Sequence, residues 1–271
     1  MSNVAKSAED AAHQVQRQPA YRALVKVGVV AYGLMHLVIA WLALRLAFGD
    51  HSADASNTGA LQELAKTPLG GVLLWLVGVG FIALVVWQLV AGFVGYREFD
   101  GGKRLRKRLG AFARVVLYAV LAASSIATAI GGGSGGGGSS EESLTSRLMS
   151  MPFGPWLVAA IGLGIVAVGV AQIVKGVSGK FNDELETELT GTPRWLAGAG
   201  WIAKGIAISL IGGLFVAAAI AHDPEEAGGM DEALTALTQQ PFGVALLVAL
   251  AIGIGCFAFW CWYLLCHAKH A

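Results

Sequence analysis

Residues Pro68–Tyr96 read PLGGVLLWLVGVGFIALVVWQLVAGFVGY. A Pro-Leu-Gly turn opens the run, no charge interrupts it, and Arg97 is the first charged residue after it. The same sentence is written twice more. Pro152-Phe153-Gly154 opens a run ending near Lys180, and Pro241-Phe242-Gly243 opens one ending near Lys269. A bilayer hydrocarbon core about 30 Å thick needs about 20 apolar residues per helix, and each run is long enough. A triplicated membrane unit follows.

Composition agrees. Of 271 residues, 55% are hydrophobic and 14% charged, where a soluble domain carries about 25% charged residues. Six apolar segments qualify as spans, at about 24–48, 69–95, 110–130, 153–178, 196–221 and 242–266. The expected fold is therefore all-α: an integral membrane bundle of six transmembrane helices. The expected organisation is a cytoplasmic polar arm over 1–21, then two-span repeats over 22–99, 100–182 and 183–271. The net charge of +1 gives no reason to expect a nucleic-acid partner. The first 20 residues, with Lys6, Glu9, Asp10 and Arg17, do not read as a cleavable signal.

Each outer loop ends in a short amphipathic segment leading into the proline: Ala60–Thr67, Ser143–Ser150 and Glu232–Thr238. The glycine-serine decapeptide at 131–140 reads equally as a native flexible loop or an engineered linker. With the N-terminus in the cytoplasm, 16 of the 19 Lys and Arg residues fall inside, leaving Arg45, Lys66 and Arg147 outside. Cytoplasmic loops carry the Lys/Arg excess, so both termini are expected inside, in the cell membrane.

The prolines at 68, 152 and 241 are 84 and 89 residues apart. The odd spans align as Gly28-x-x-Ala31-Tyr32-Gly33, Gly110-x-x-Ala113-Arg114-Val115 and Gly200-x-x-Ala203-Lys204-Gly205. In the even spans Gly80, Gly164 and Gly253 match, as do Gln88, Gln172 and Cys261. Two spans per unit give all three units one orientation. The repeats are thus parallel, with a pseudo-threefold arrangement as the natural closed form. Small residues are favoured at helix contacts in lipid, which offers helices no hydrophobic drive to associate.

These motifs resemble the bacterial membrane family catalogued as domain of unknown function 1206, over about residues 20–268. Tyr32 stands where the odd-helix motif has a cation in the other two units (Arg114 and Lys204). The resemblance implies an architecture and no activity.

Aligned depths place Tyr32, Arg114, Lys204, Gln88 and Gln172 in one polar layer in the cytoplasmic third. One reading is a site for a small anionic ligand or lipid headgroup. The other is cations snorkelling to the interface and glutamines joining helices. His36 lies deeper, about ten residues into the first span, and is an ionisable candidate. Lys103, Arg104, Arg106, Lys107 and Arg108 form a basic cluster suited to anionic headgroups. Cys256, Cys261 and Cys266 are spaced by five, on different faces of one helix, and read as apolar fillers rather than ligands or a disulfide. His267 and His270 alone are too few for a metal site. No metalloprotease, P-loop or nucleophile-elbow motif occurs, nor the kink motif of mitochondrial carriers, and no span holds an acidic residue. The expectation is a non-enzymatic membrane scaffold or accessory protein without cofactor, contacting the lipid bilayer and other membrane proteins. The alternative is a small-molecule, lipid or ion binding or permeation protein using the polar layer.

Overall fold

A computed structural model describes residues 19–50, 54–93, 101–131, 145–185, 188–223 and 227–267. Most of the polar arm (1–18) and residues 132–140 of the glycine-serine segment lie outside these, as do the side chains of Lys103 and Cys266. Six long helices carry the fold: α1 (Pro19–Ala47), α3 (Gly70–Phe93), α4 (Gly101–Ala129), α5 (Gly154–Ser178), α6 (Gly191–Ala221) and α8 (Gly243–His267). Two short helices, α2 (Asn57–Ala65) and α7 (Met230–Thr238), precede α3 and α8. Residues 145–149 form the corresponding helical turn before α5. All six long helices contain stretches long and apolar enough to cross a membrane: Lys26–Ala47, Gly70–Phe93, Arg104–Ala129, Gly154–Ser178, Gly191–Ala221 and Gly243–Leu265. The chain is all-α and built to span a bilayer six times. The basic residues 103–108, which precede the third apolar segment, are helical. Beyond Gly101 and Gly102 the segment holds only Lys, Arg and Leu before Gly110, all good helix formers.

The repeated proline motif has one construction. In each copy a short helix stops and the glycine N–H, three residues on, bonds back across the proline: Gly70 to Thr67 O, Gly154 to Met151 O and Gly243 to Gln240 O, each at 2.8 Å. Proline suits this place because its fixed φ matches the turn. The glycine is required because the new helix starts against the end of the last one. A Cβ on Gly70 would lie 2.5 Å from Ala65 O, and one on Gly154 would lie 2.6 Å from Met149 O. The residue between is forced outward. Phe153 and Phe242 adopt left-handed backbone, φ 63° and 61°, and are 81% and 86% exposed.

The described residues divide into two compact units: 19–32 with 64–93 and 101–131, and 33–50 with 54–63, 145–185, 188–223 and 227–267. In the first, α3 packs on α4. Ser125 Oγ donates to Leu74 O at 2.7 Å, a buried hydroxyl spent on the facing backbone. Gly28 of α1 and Gly80 of α3 approach so closely that a Cβ on Gly28 would lie 2.6 Å from Gly80 O.

The second unit is built on a glycine ladder. Gly162, Gly169 and Gly176 of α5 recur every seventh residue, as do Gly198, Gly205 and Gly212 of α6. The helices run antiparallel, so Gly162 meets Gly212, Gly169 meets Gly205 and Gly176 meets Gly198. A Cβ on Gly162, Gly169 or Gly176 would lie 2.9, 2.6 or 2.7 Å from the facing glycine's carbonyl oxygen. On the other face of α6, Gly200 abuts the backbone of Phe257 in α8, and Gly253 of α8 abuts Ala203. Gly33 of α1 receives Trp262 of α8. Gly80 and Gly253 thus make the close approaches expected of packing glycines. Gly164, their sequence counterpart, is exposed, with no atom of the described residues within 4 Å of a Cβ placed there.

The segments joining the long helices of this unit are tied by polar contacts. Arg45, in the last turn of α1, pairs with Asp50 at 2.6 Å and Glu63 at 3.1 Å. Asp231 of α7 accepts the Ala55 N–H at 2.8 Å. The half-buried Asp231 carboxyl is raised above its ordinary value, first by loss of water and further by the charges of Asp54 and Glu232, against the lowering effect of the Ala55 bond.

Two predictions follow from this packing. Gly169→Val or Gly205→Val should destabilise the protein by about 1–3 kcal/mol, read as a lower unfolding temperature in mild detergent, while Gly164→Ala leaves it unchanged or slightly raised. Because the folded pKa of Asp231 is raised, its protonated form stabilises the fold at low pH, and that contribution is lost as pH rises through the folded pKa. Asp231→Asn keeps an acceptor for Ala55. It should therefore raise stability at pH 7 and flatten its pH dependence above the ordinary carboxylate range, measured by thermal unfolding from pH 4 to 8.

Candidate functional site

The second unit gathers two cations and three large rings between α5, α6 and α8. Gly176 opposite Gly198 places Lys175 within one helical turn of Trp201. Its Nζ lies 3.7 Å from the Trp201 ring centroid and 5.9 Å from that of Trp260. Lys204 follows Trp201 by three residues on α6 and so shares its face. Its Nζ lies 3.9 Å from the Phe257 centroid and 5.7 Å from that of Trp201. Phe257 and Trp260 have the same three-residue spacing on α8. The rings pack as one cluster: Trp201 to Trp260 at 4.9 Å, Trp201 to Phe257 at 5.2 Å and Phe257 to Trp260 at 5.7 Å. His36 of α1 closes one side, its ring 4.9 Å from Phe257.

An ammonium over an aromatic face gains about 0.5–2 kcal/mol, more where water is thin. The cluster therefore holds two positive charges among apolar helices without a carboxylate from those helices, for α1, α5, α6 and α8 contain no Asp or Glu. Trp201 and Trp260 are 7% and 6% exposed. The indole Nε1 of each has no hydrogen-bond partner among the described residues. Every polar group described in the Lys175, Lys204, Trp201 and Trp260 set is a donor.

The residues singled out in sequence fall in both units. Lys204 and His36 meet across Phe257 in the second unit. Gln172, also there, is half-buried on α5. In the first unit Tyr32 stands edge-on to Phe81 at 6.4 Å and Tyr118 at 5.7 Å. Gln88 is 2% exposed, and its Oε1 lacks a hydrogen-bond partner among the described residues. Arg114 is exposed, its Nε donating to Gly110 O on its own helix at 3.0 Å. Of the basic cluster, Arg106 and Lys107 are exposed, Arg104 is half-buried, and Arg108 donates to Phe93 O at 2.8 Å, capping the end of α3. Cys256 and Cys261 are not in a disulfide, and no cluster of His, Cys, Asp and Glu able to hold a metal occurs among the described residues.

Sequence reading missed Lys175, Trp201, Phe257 and Trp260. Lys175 was counted as a topology residue, and repeat alignment favours positions shared by all three units, which these are not. The available signal was the aromatic density of the sixth span, with Trp201 one turn from Lys204.

Comparison with known proteins agrees with the architecture. The Domain of Unknown Function (DUF1206) matches three times, over residues 27–95, 109–179 and 199–264. Uncharacterized protein YxxB of Bacillus subtilis (strain 168) is 31% identical over 245 residues, covering 88% of each chain. No solved structure matches. Three matches tiling the six helices make this chain a member of the DUF1206 family, a multi-pass membrane protein of three tandem two-helix repeats.

Proposed function

We propose that the protein is a non-enzymatic membrane scaffold or accessory protein, with both termini on the cytoplasmic side of the cell membrane. The observation that carries this is the α5–α6 ladder. Glycines commit one stripe of α5 to α6, and the remaining surface displays large apolar groups, among them Trp156, Leu163, Val168, Val170 and Val177. Lipid or a helix of another membrane protein can cover that face, and the scaffold reading assigns it to a helix. The Lys/Arg asymmetry supports the orientation. The exposed basic residues of α4 fit anionic headgroups at about 1 kcal/mol each.

A photo-crosslinking residue at Leu163 or Val170, in cells with native expression, tests the scaffold role. A discrete protein adduct is expected, and lipid adducts alone would contradict it. The orientation predicts fluorescence from a C-terminal green fluorescent protein and no activity from a C-terminal alkaline phosphatase. The reverse pattern would overturn it.

A second reading, binding of a small anionic group within the bundle, is favoured by Lys175 and Lys204 sharing the Trp201 ring.

A further inference from the structure

We propose that Phe153 and Phe242, with Leu69 in the first repeat, are lipid pins. The proline turns hold these apolar side chains out so that they enter the bilayer at the hydrocarbon boundary and set the depth at which α3, α5 and α8 start. This goes beyond the scaffold reading and depends neither on it nor on which side is cytoplasmic. Backbone strain is the first observation. Phe153 has φ 63° and ψ 16°, and Phe242 has φ 61°. A bulky side chain rarely takes this left-handed backbone, and the residue after proline in such a turn is usually glycine or asparagine. Closing the turn does not demand the strain. Leu69 closes the equivalent turn with the same 2.8 Å bond at Gly70 and is not left-handed. What the three residues share is projection: Leu69, Phe153 and Phe242 are 65%, 81% and 86% exposed. Side chains this exposed gain little from the fold itself, so what repays the strain lies outside the chain.

Position identifies the occupant as lipid. Exposed polar residues precede each Phe, Ser150 before the first and Gln239 and Gln240 before the second. Exposed apolar residues follow it, Trp156 and Leu157 on α5 and Val244 and Leu246 on α8. Each Phe therefore stands where the surface changes from polar to apolar. Span length agrees. Phe153 lies 22 residues before Lys175, the first charged residue of α5. That is about 33 Å by helical rise, against a hydrocarbon core of about 30 Å. With Lys175 near one boundary, Phe153 reaches the other. Trp156, one turn further into α5, fits the same level, since tryptophan is enriched at membrane interfaces. Lipid meets every helix start, and the projecting apolar residue recurs in all three repeats.

The test uses the full chain in nanodiscs of phosphatidylcholine. Trifluoromethyl-phenylalanine replaces Phe153 or, separately, Phe242, which keeps the ring, and fluorine NMR reads its surroundings. Dissolved oxygen concentrates in hydrocarbon, whereas a gadolinium chelate stays in water. Strong relaxation by oxygen is expected, with a gadolinium effect at least fivefold smaller than on the free amino acid in buffer. A gadolinium effect equal to that on the free amino acid puts the ring in water and overturns the proposal. Protection from both agents puts protein over the ring and also overturns it, while leaving the scaffold role standing. A second variant tests depth. Phe153→Asn removes the ring and keeps a residue that accepts left-handed backbone. With the fluorinated residue placed at position 156 instead, gadolinium relaxation there should rise at least twofold on Phe153→Asn. No change would overturn the depth-setting role. The first readout keeps the ring and the turn, so it decides the question even where the Asn variant is unstable.

Discussion

Backbone contact between helices is the constraint on which the second unit depends. In lipid the tails are as apolar as leucine, so burying leucine between helices gains little over leaving it in the bilayer. What remains is close packing, and packing is closest where there is no side chain. Gly162, Gly169 and Gly176 against Gly212, Gly205 and Gly198 let two peptide backbones meet directly. A seven-residue repeat returns each glycine nearly to the same face, with a drift of about 20° per step. The ladder also fixes register. A slip of one turn along either helix would set larger side chains, such as Val166 and Ile173 of α5 or Ile202 and Val216 of α6, where glycines now meet backbone.

That register has a chemical consequence. It brings Lys175 to the face of Trp201, which α6 and α8 have already packed against Phe257 and Trp260. A lysine on an isolated apolar helix would bend toward the headgroups. Here rings occupy its surroundings and its charge is met by their faces. The same economy appears at the proline turns, where a glycine admits the end of one helix to the start of the next and Phe153 and Phe242 are turned outward in a left-handed conformation. Such backbone costs about 1–2 kcal/mol per residue, and two turns accept it at the same position.

The fold was legible because its signals are long and repeated. Six apolar runs, three proline turns and a Lys/Arg asymmetry are each written several times, and the helices end within a few residues of the places read from sequence. The lead-in helices were legible from the same repetition. The site was only partly so. Alignment across units drew attention to Tyr32, Arg114 and Lys204, which occupy equivalent positions but different surroundings: an aromatic pair, an exposed helix surface and the indole cluster. Equivalent position in a repeat fixes depth, while the neighbours are set by side chains that have diverged. Lys175 and Trp260 have no counterpart of their kind in all three units. Gly164 shows the same limit, since it aligns with packed glycines and is itself exposed.

The measurement that tests the account most directly is solid-state NMR of the protein in lipid bilayers with carbon-13 at glycine Cα. The account predicts interhelical cross-peaks joining Gly162 with Gly212, Gly169 with Gly205 and Gly176 with Gly198, all three in one register. If those glycines instead show only contacts within their own helices and to lipid, the ladder does not exist, and the placement of Lys175 against Trp201 falls with it.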